Sequence, residues 1–302
     1  VTGRTARVKS SRKALMNLPV VVGVDGSEAS LRAVDWAADE AVLHGASLHV
    51  VFAALWERYE GAALARELGK PSARVIAGDI VDAAVGRARL RRPHLSVDAH
   101  VLWEEAENAL VRMGRDATVL VVGARGRSGL TGMVLGSVSM AVAARADRPV
   151  VVVRGGHDDR AGDGRHDRIA VGVGVAMPSA LRFAFEEARL RAVPLDAVCA
   201  WRCPTHEPVD HPLLVGHGAR VFEQRAAEAL EEALHDAPTD VTVHRHTPEG
   251  PARRVLLHAS HEADLLVIGR RSSGRPGPRL GRVAHTVLHH AVCPVAVVPE
   301  PG

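Results

Sequence analysis

The sequence predicts an α/β protein built as two tandem doubly wound domains, each with a five-stranded parallel sheet. Three observations predict it. Short, wholly apolar runs such as residues 19–24 and 118–122 lack polar alternation, as strands buried on both faces do. These runs alternate with longer stretches of helical periodicity, the pattern of a mostly parallel sheet covered by helices. The whole series then occurs a second time: "PVVVGVDGSEASLRAVDWAADEAVLHGASLHVVFA" (19–53) reads against "RIAVGVGVAMPSALRFAFEEARLRAVPLDAVCAW" (168–201), and "SVSMAVAARADRPVVVV" (137–153) against "RVAHTVLHHAVCPVAVV" (282–298). The common order, with little drift in spacing, argues for duplication.

In the first copy, residues 19–24 read as a strand. Ser27 is placed to cap a helix with Leu31, Val34, Ala38, Ala41 and Val42 on one stripe, and Gly45 to end it. Strands follow at 47–53, 96–103, 118–122 and 149–153, with helices at 78–91, 105–115 and 137–146. Residues 1–18, basic and Ser/Thr-containing without an apolar centre, read as a disordered tail, with Met16 a candidate start of translation. The polar, Gly-rich 155–167 reads as a linker. The expected domains are therefore 19–154 and 168–299.

Composition excludes several classes. Aromatic residues are only 3% of the 302, so the cores must be aliphatic. The net charge of +3 is too small to predict nucleic-acid or membrane-surface binding. No run approaches the ~18 apolar residues of a membrane span. Three cysteines, Cys199, Cys203 and Cys293, make no disulfide framework, which predicts a reducing, cytoplasmic setting.

The chemistry lies in "GARGRSGLTGMVLGS" (123–137), between the fourth strand and a helix. In such sheets ligands bind beyond the carboxyl ends of the strands, where strand order reverses. Backbone amides around the glycines, with the N-terminus of the next helix, make an anion-binding concavity. Ser137 and Ser139 add hydroxyls, and Arg125 and Arg127 add charge. The ligand this predicts is a phosphate chain. A Walker A loop is excluded, because it needs a lysine beside its last Ser/Thr and no lysine follows Lys70. A dinucleotide fingerprint would follow the first strand, not the fourth.

The spacing Gly123-x2-Gly126-x9-Gly136-Ser137, with "VVVGVDGSEAS" before it and "RPVVVV" after it, resembles the universal stress protein family over nearly the whole chain. The resemblance implies a Rossmann-like, adenine-nucleotide α-hydrolase-like fold that binds ATP, with Mg²⁺ accompanying the phosphates. It places Gly23, Val24 and Asp25 at the nucleoside end and Val50, near the end of the second strand, against the base. Val122, Gly123, Arg125 and Gly126 would line ribose and phosphates, and Gly136, Ser137, Val138 and Ser139 would hold the phosphates. A turn or capping role is the alternative for Asp25. The resemblance also implies pairing through the last strand, hence an internal pseudo-dimer between 149–153 and 294–298, with room for a homodimer beyond it. ATP occupancy would then signal to a protein partner.

The second copy has decayed. Gly174 stands near the place of Asp25; Gly269 and Gly281 remain, but Ser272 replaces the second glycine and Arg282 the following serine. It reads as a degenerate domain. No catalytic set is visible: "GRSGL" lacks the glycine of a nucleophile elbow. His244 and His246 fall on one strand face, but neither they nor Cys199, Cys203 and His206 have a convincing further ligand, so no metal site is expected. Two other functions stay open: a nucleotide-free interaction module, and an enzyme acting at the α-phosphate.

Overall fold

The computed structural model describes residues 18–54, 73–125, 135–154, 167–203, 217–271 and 280–301. The calls for a disordered tail at 1–18 and a linker at 155–167 fall almost wholly outside these residues. The chain divides into two compact units, Val1–Asp158 and Asp159–Gly302.

In the first unit the strands are β1 (Val20–Val24), β2 (Leu48–Ala53), β3 (Val97–Leu102), β4 (Val119–Gly123) and β5 (Val150–Val153). They lie in the order β3-β2-β1-β4-β5, all parallel. Helices α1 (Glu28–His44), α2 (Ala73–Arg91), α3 (Ala106–Gly114) and α4 (Ser137–Arg145) complete it. The core is aliphatic as the composition requires: Val20, Val21, Val22, Leu48, Val50, Leu120 and Val121 are fully buried. The chain leaves β1 for β2 on one side and later returns to place β4 on the other. The gap between the ends of β1 and β4 is therefore the switch point of this sheet.

The local signals act as expected. Ser27 has extended backbone (φ −77°, ψ 154°), and its side chain accepts from the Ser30 amide. Gly45 ends α1 in the left-handed region at φ 60°. One helix differs: α2 spans Ala73–Arg91, starting earlier than 78–91. Val75 and Ile76 near its start are 51% and 37% exposed, so the first turns carry no clean apolar stripe. The buried stripe of Ala77, Val81, Ala84 and Ala88 begins a turn later, and a polar contact to α1 adds to it. The Arg87 guanidinium donates from Nε to Asp35 Oδ1 at 2.8 Å and from Nη2 to Oδ2 at 2.5 Å.

The second unit repeats the plan. Strands β6 (Ile169–Gly172), β7 (Leu195–Val198), β8 (Val243–His246), β9 (Leu265–Arg270) and β10 (Val295–Pro299) lie in the order β8-β7-β6-β9-β10, again all parallel. Its helices are α5 (Pro178–Arg191), α6 (His217–Ala233), α7 (Ala252–Ala259) and α8 (Arg282–His290). The register shows the duplication directly. Val20 pairs with Leu48, which pairs with Val97; Ile169 pairs with Leu195, which pairs with Val243. Among the described residues, no helix is long and apolar enough to cross a membrane.

Candidate functional site

The ends of β1 and β4 meet the N-terminus of α4 around one cavity of about 200 Å³. Of the site residues named from the sequence, Gly23, Val24, Asp25, Val122, Gly123, Arg125, Gly136, Ser137, Val138 and Ser139 line it, and Val50, Gly126 and Arg127 do not appear there. Gly126 and Arg127 lie outside the described residues.

Val50 does not line the cavity. It sits mid-strand, fully buried, opposite Val22 and Ala99. The wall from β2 is made by Val51 and Ala53 instead, two residues apart and so on one sheet face. The apolar run at 47–53 located the strand, but its face and end are visible only in the register. Ala106, Leu110 and Ser30 also line the cavity without having been singled out. They are small or apolar residues whose sequence signal is that of ordinary helix packing.

Close packing forms the corner. A Cβ on Gly123 would stand 2.6 Å from the Ala29 carbonyl oxygen and 3.0 Å from the Ser30 nitrogen. Glycine is thus required where β4 passes under the start of α1. The buried Ser139 hydroxyl donates to the Gly123 carbonyl at 2.7 Å, joining the first turn of α4 to the end of β4. The Gly136 amide donates to the Ala124 carbonyl at 2.8 Å and closes the loop from the other side.

Gly136 is the N-cap of α4, with extended backbone (φ −65°, ψ 148°) and no side-chain cap. The amides of the first turn therefore have no capping oxygen from the cap residue, and the helix presents partial positive charge to the cavity. Arg125 is exposed at the rim. Arg154, just past β5, is pushed below the usual guanidinium range by burial and then by the charge of Arg125. The Arg125 guanidinium at the cavity rim favours an anion there.

Asp25 is the only carboxylate lining the cavity among the described residues. Its Oδ1 accepts from the Ser27 amide at 3.0 Å and the Ser27 hydroxyl at 2.6 Å. Asp25 thus makes the turn that the alternative reading foresaw, and the same turn fixes its carboxylate at the cavity edge.

In the second unit the end of β9 and the start of α5 are packed differently from β4 and α1, while Gly281 caps α8 without a side chain as Gly136 caps α4. Glu300, buried, accepts from the Ser179 and Ala180 amides at 2.9 and 2.8 Å, capping α5 with its own carboxylate. Met177 Sδ and Glu300 Oε1 lie 3.0 and 3.1 Å from where a Cβ on Gly269 would stand. Gly174 is exposed and supplies no carboxylate.

Fold and cavity together define a class: a tandem α/β protein with a glycine-lined cavity at the sheet switch point of its first unit. The sequence pattern of the universal stress protein family matches residues 16–154 and 166–299. The universal stress protein Rv2005c of Mycobacterium tuberculosis is 33% identical over 307 residues, covering 93% of this chain and 97% of its own length. Rv2623 of the same organism is 32% identical over 297 residues, covering 94% and 97%. The chain belongs to the universal stress protein family. A crystal structure of a universal stress protein from Archaeoglobus fulgidus shares the fold at a TM-score of 0.69 and 16% identity, covering 94% of this chain and 98% of that one.

Proposed function

We propose that the first unit, residues 19–154, binds ATP at the β1–β4 switch point and acts as a nucleotide-dependent regulator of the stress response. The observation that carries this reading is the junction of a helix N-terminus without a side-chain cap and a strand end, Gly123, that has no room for a Cβ. The Ser137, Val138 and Ser139 segment and Arg125 would hold the phosphates. Asp25 would accept hydrogen bonds from the nucleoside, and the backbone near Val51 and Ala53 would meet the base. The cavity of about 200 Å³ is smaller than the ~300–1,000 Å³ of most small-molecule sites, so much of the nucleotide would extend past its rim. With Asp25 as the lone carboxylate there, Mg²⁺ would be held chiefly by phosphates and water.

The second unit, residues 168–299, is a nucleotide-free partner in this reading, because Gly174 stands where the first unit has Asp25 and Arg282 stands where it has Ser137, although Gly281 caps α8 as Gly136 caps α4. One nucleotide per chain follows. ATP would shift the ensemble of the glycine loop and so alter a surface read by a protein partner in the cytoplasm, without turnover. Mass spectrometry of the purified, denatured protein tests the reading. Co-purified ATP supports it; its absence, with no ATP binding on addition, leaves the nucleotide-free interaction module.

A further inference from the structure

A cavity of about 350 Å³ lies in the second unit, where the chain leaves β7 and where α7 and α8 begin. Arg202, four residues past β7, Arg253, the second residue of α7, and Arg282, the first of α8, all line it. No residue of β6 or β9 does, so it stands apart from the switch point of this sheet. Among the described residues no carboxylate lines the cavity, and none of the three guanidiniums is held in an ion pair. The neighbouring acids belong elsewhere. Glu249, with Asp196 and Glu262, lines a separate cavity of about 630 Å³, and only Gly250 and Pro251 border both.

Two of the arginines stand where the backbone disfavours them. The N-caps of α7 and α8, Pro251 and Gly281, make no side-chain cap, and neither helix has an acid in its first turn. A cation there adds to the partial positive charge of the free amides instead of opposing it. The first unit is built otherwise. Leu110 and Leu256 hold equivalent places, since each packs where a Cβ on Gly23 or Gly172 would stand. Three residues before them stand Glu107 in α3 and Arg253 in α7; α4 begins with Ser137 and α8 with Arg282. Both helix starts thus carry an arginine only in the second unit, and both arginines border one cavity. A locally unfavourable charge placed twice around one space is accounted for by an anion that both meet.

We propose that this cavity binds a small organic phosphate through Arg202, Arg253 and Arg282, with amides at the starts of α7 and α8 completing the phosphate shell. Guanidinium–phosphate hydrogen bonds are charge-assisted and suited to bidentate contact. Trp201, Pro251 and Val283 supply an apolar wall. Trp201 is held in place by its indole N–H, which donates to the Thr247 carbonyl at 2.8 Å, and by its own carbonyl, which accepts from the Gly250 amide at 2.7 Å. The volume falls in the ~300–1,000 Å³ range of small-molecule sites and exceeds what a phosphate alone fills. The ligand therefore has an apolar, ring-bearing body that lies against Trp201. With no carboxylate to accept from a ribose, as Asp25 is placed to do in the first unit, a nucleoside is disfavoured. The site does not depend on ATP binding in the first unit.

The test is calorimetric titration of the full chain with 1-naphthyl phosphate at low ionic strength, comparing wild type, R253Q/R282Q and Gly136→Val. The expected result is a single site in the wild type, weakened about 10-fold or more in R253Q/R282Q and retained in Gly136→Val. Inorganic phosphate should compete for it, and 1-naphthol, which lacks the phosphate, should not bind. Both replaced arginines are exposed, and their removal relieves the two helix termini, so ligand-free R253Q/R282Q should have a urea midpoint no lower than wild type. Wild-type affinity in R253Q/R282Q, a lower midpoint for that variant, loss of the site in Gly136→Val, equal binding of 1-naphthol, or no binding by the wild type would each overturn the proposal.

Discussion

The Ser139 hydroxyl donates a buried 2.7 Å hydrogen bond to the Gly123 carbonyl, and this contact fixes the first turn of α4 against the end of β4. Ser139→Ala strands that carbonyl in a buried corner. The expected loss is about 1–3 kcal/mol of unfolding free energy, read as a lower urea midpoint at unchanged slope. Gly123→Ala should destabilise by a similar or larger amount, since its methyl would meet backbone atoms of Ala29, which cannot move without shifting α1. Equal midpoints for wild type and both variants would show that this corner carries no strain.

The Asp35–Arg87 pair predicts an asymmetry. The Asp35 side chain is 6% exposed, whereas that of Arg87 is 36% exposed. Arg87→Ala leaves a carboxylate in the interior and should cost about 2–3 kcal/mol. Asp35→Ala leaves a guanidinium that can still reach water and should cost less. Chemical denaturation of the two variants side by side checks the order.

His49 predicts a pH dependence. Its pKa is lowered from 6.5, first by burial and then by His100, with Asp98 opposing. The folded state therefore binds a proton at this ring less readily than the unfolded chain does. Stability should fall as the pH drops below about 6.5 and continue to fall until the folded-state pKa is passed. His49→Gln removes this contribution. Urea midpoints measured between neutral pH and pH 5 should decline less steeply in the variant than in the wild type, and identical declines would contradict the assignment.

Much of the fold was legible because its signals are local. Apolar runs marked the strands, Ser27 and Gly45 marked the ends of α1, and the repeat marked the second copy. The glycine corner was legible as well, since Gly123, Gly136 and Ser137 stand at fixed spacing between a strand and a helix. What escaped reading depends on pairing between distant segments. Val51 and Ala53, not Val50, face the cavity because of how β2 registers on β1. Arg154 gains its relation to Arg125 only when β5 lies beside β4. Glu300 carries no motif, and only the fold brings it to the start of α5. The hydrogen bond between His244 and Asp196 joins residues 48 positions apart through one rung of the sheet.

The central claim is that the first unit's amides and hydroxyls at α4 receive the phosphates of ATP. Gly136 has a backbone conformation open to any residue, so Gly136→Val should keep the fold while its side chain intrudes on the anion corner. Calorimetric titration of the full chain with ATP is the direct measurement, with Gly136→Val and Asp25→Ala beside the wild type. The account predicts one site per chain in the wild type, weakened about 10-fold or more by each substitution. Wild-type affinity in both variants, or two equal sites per chain, would contradict it.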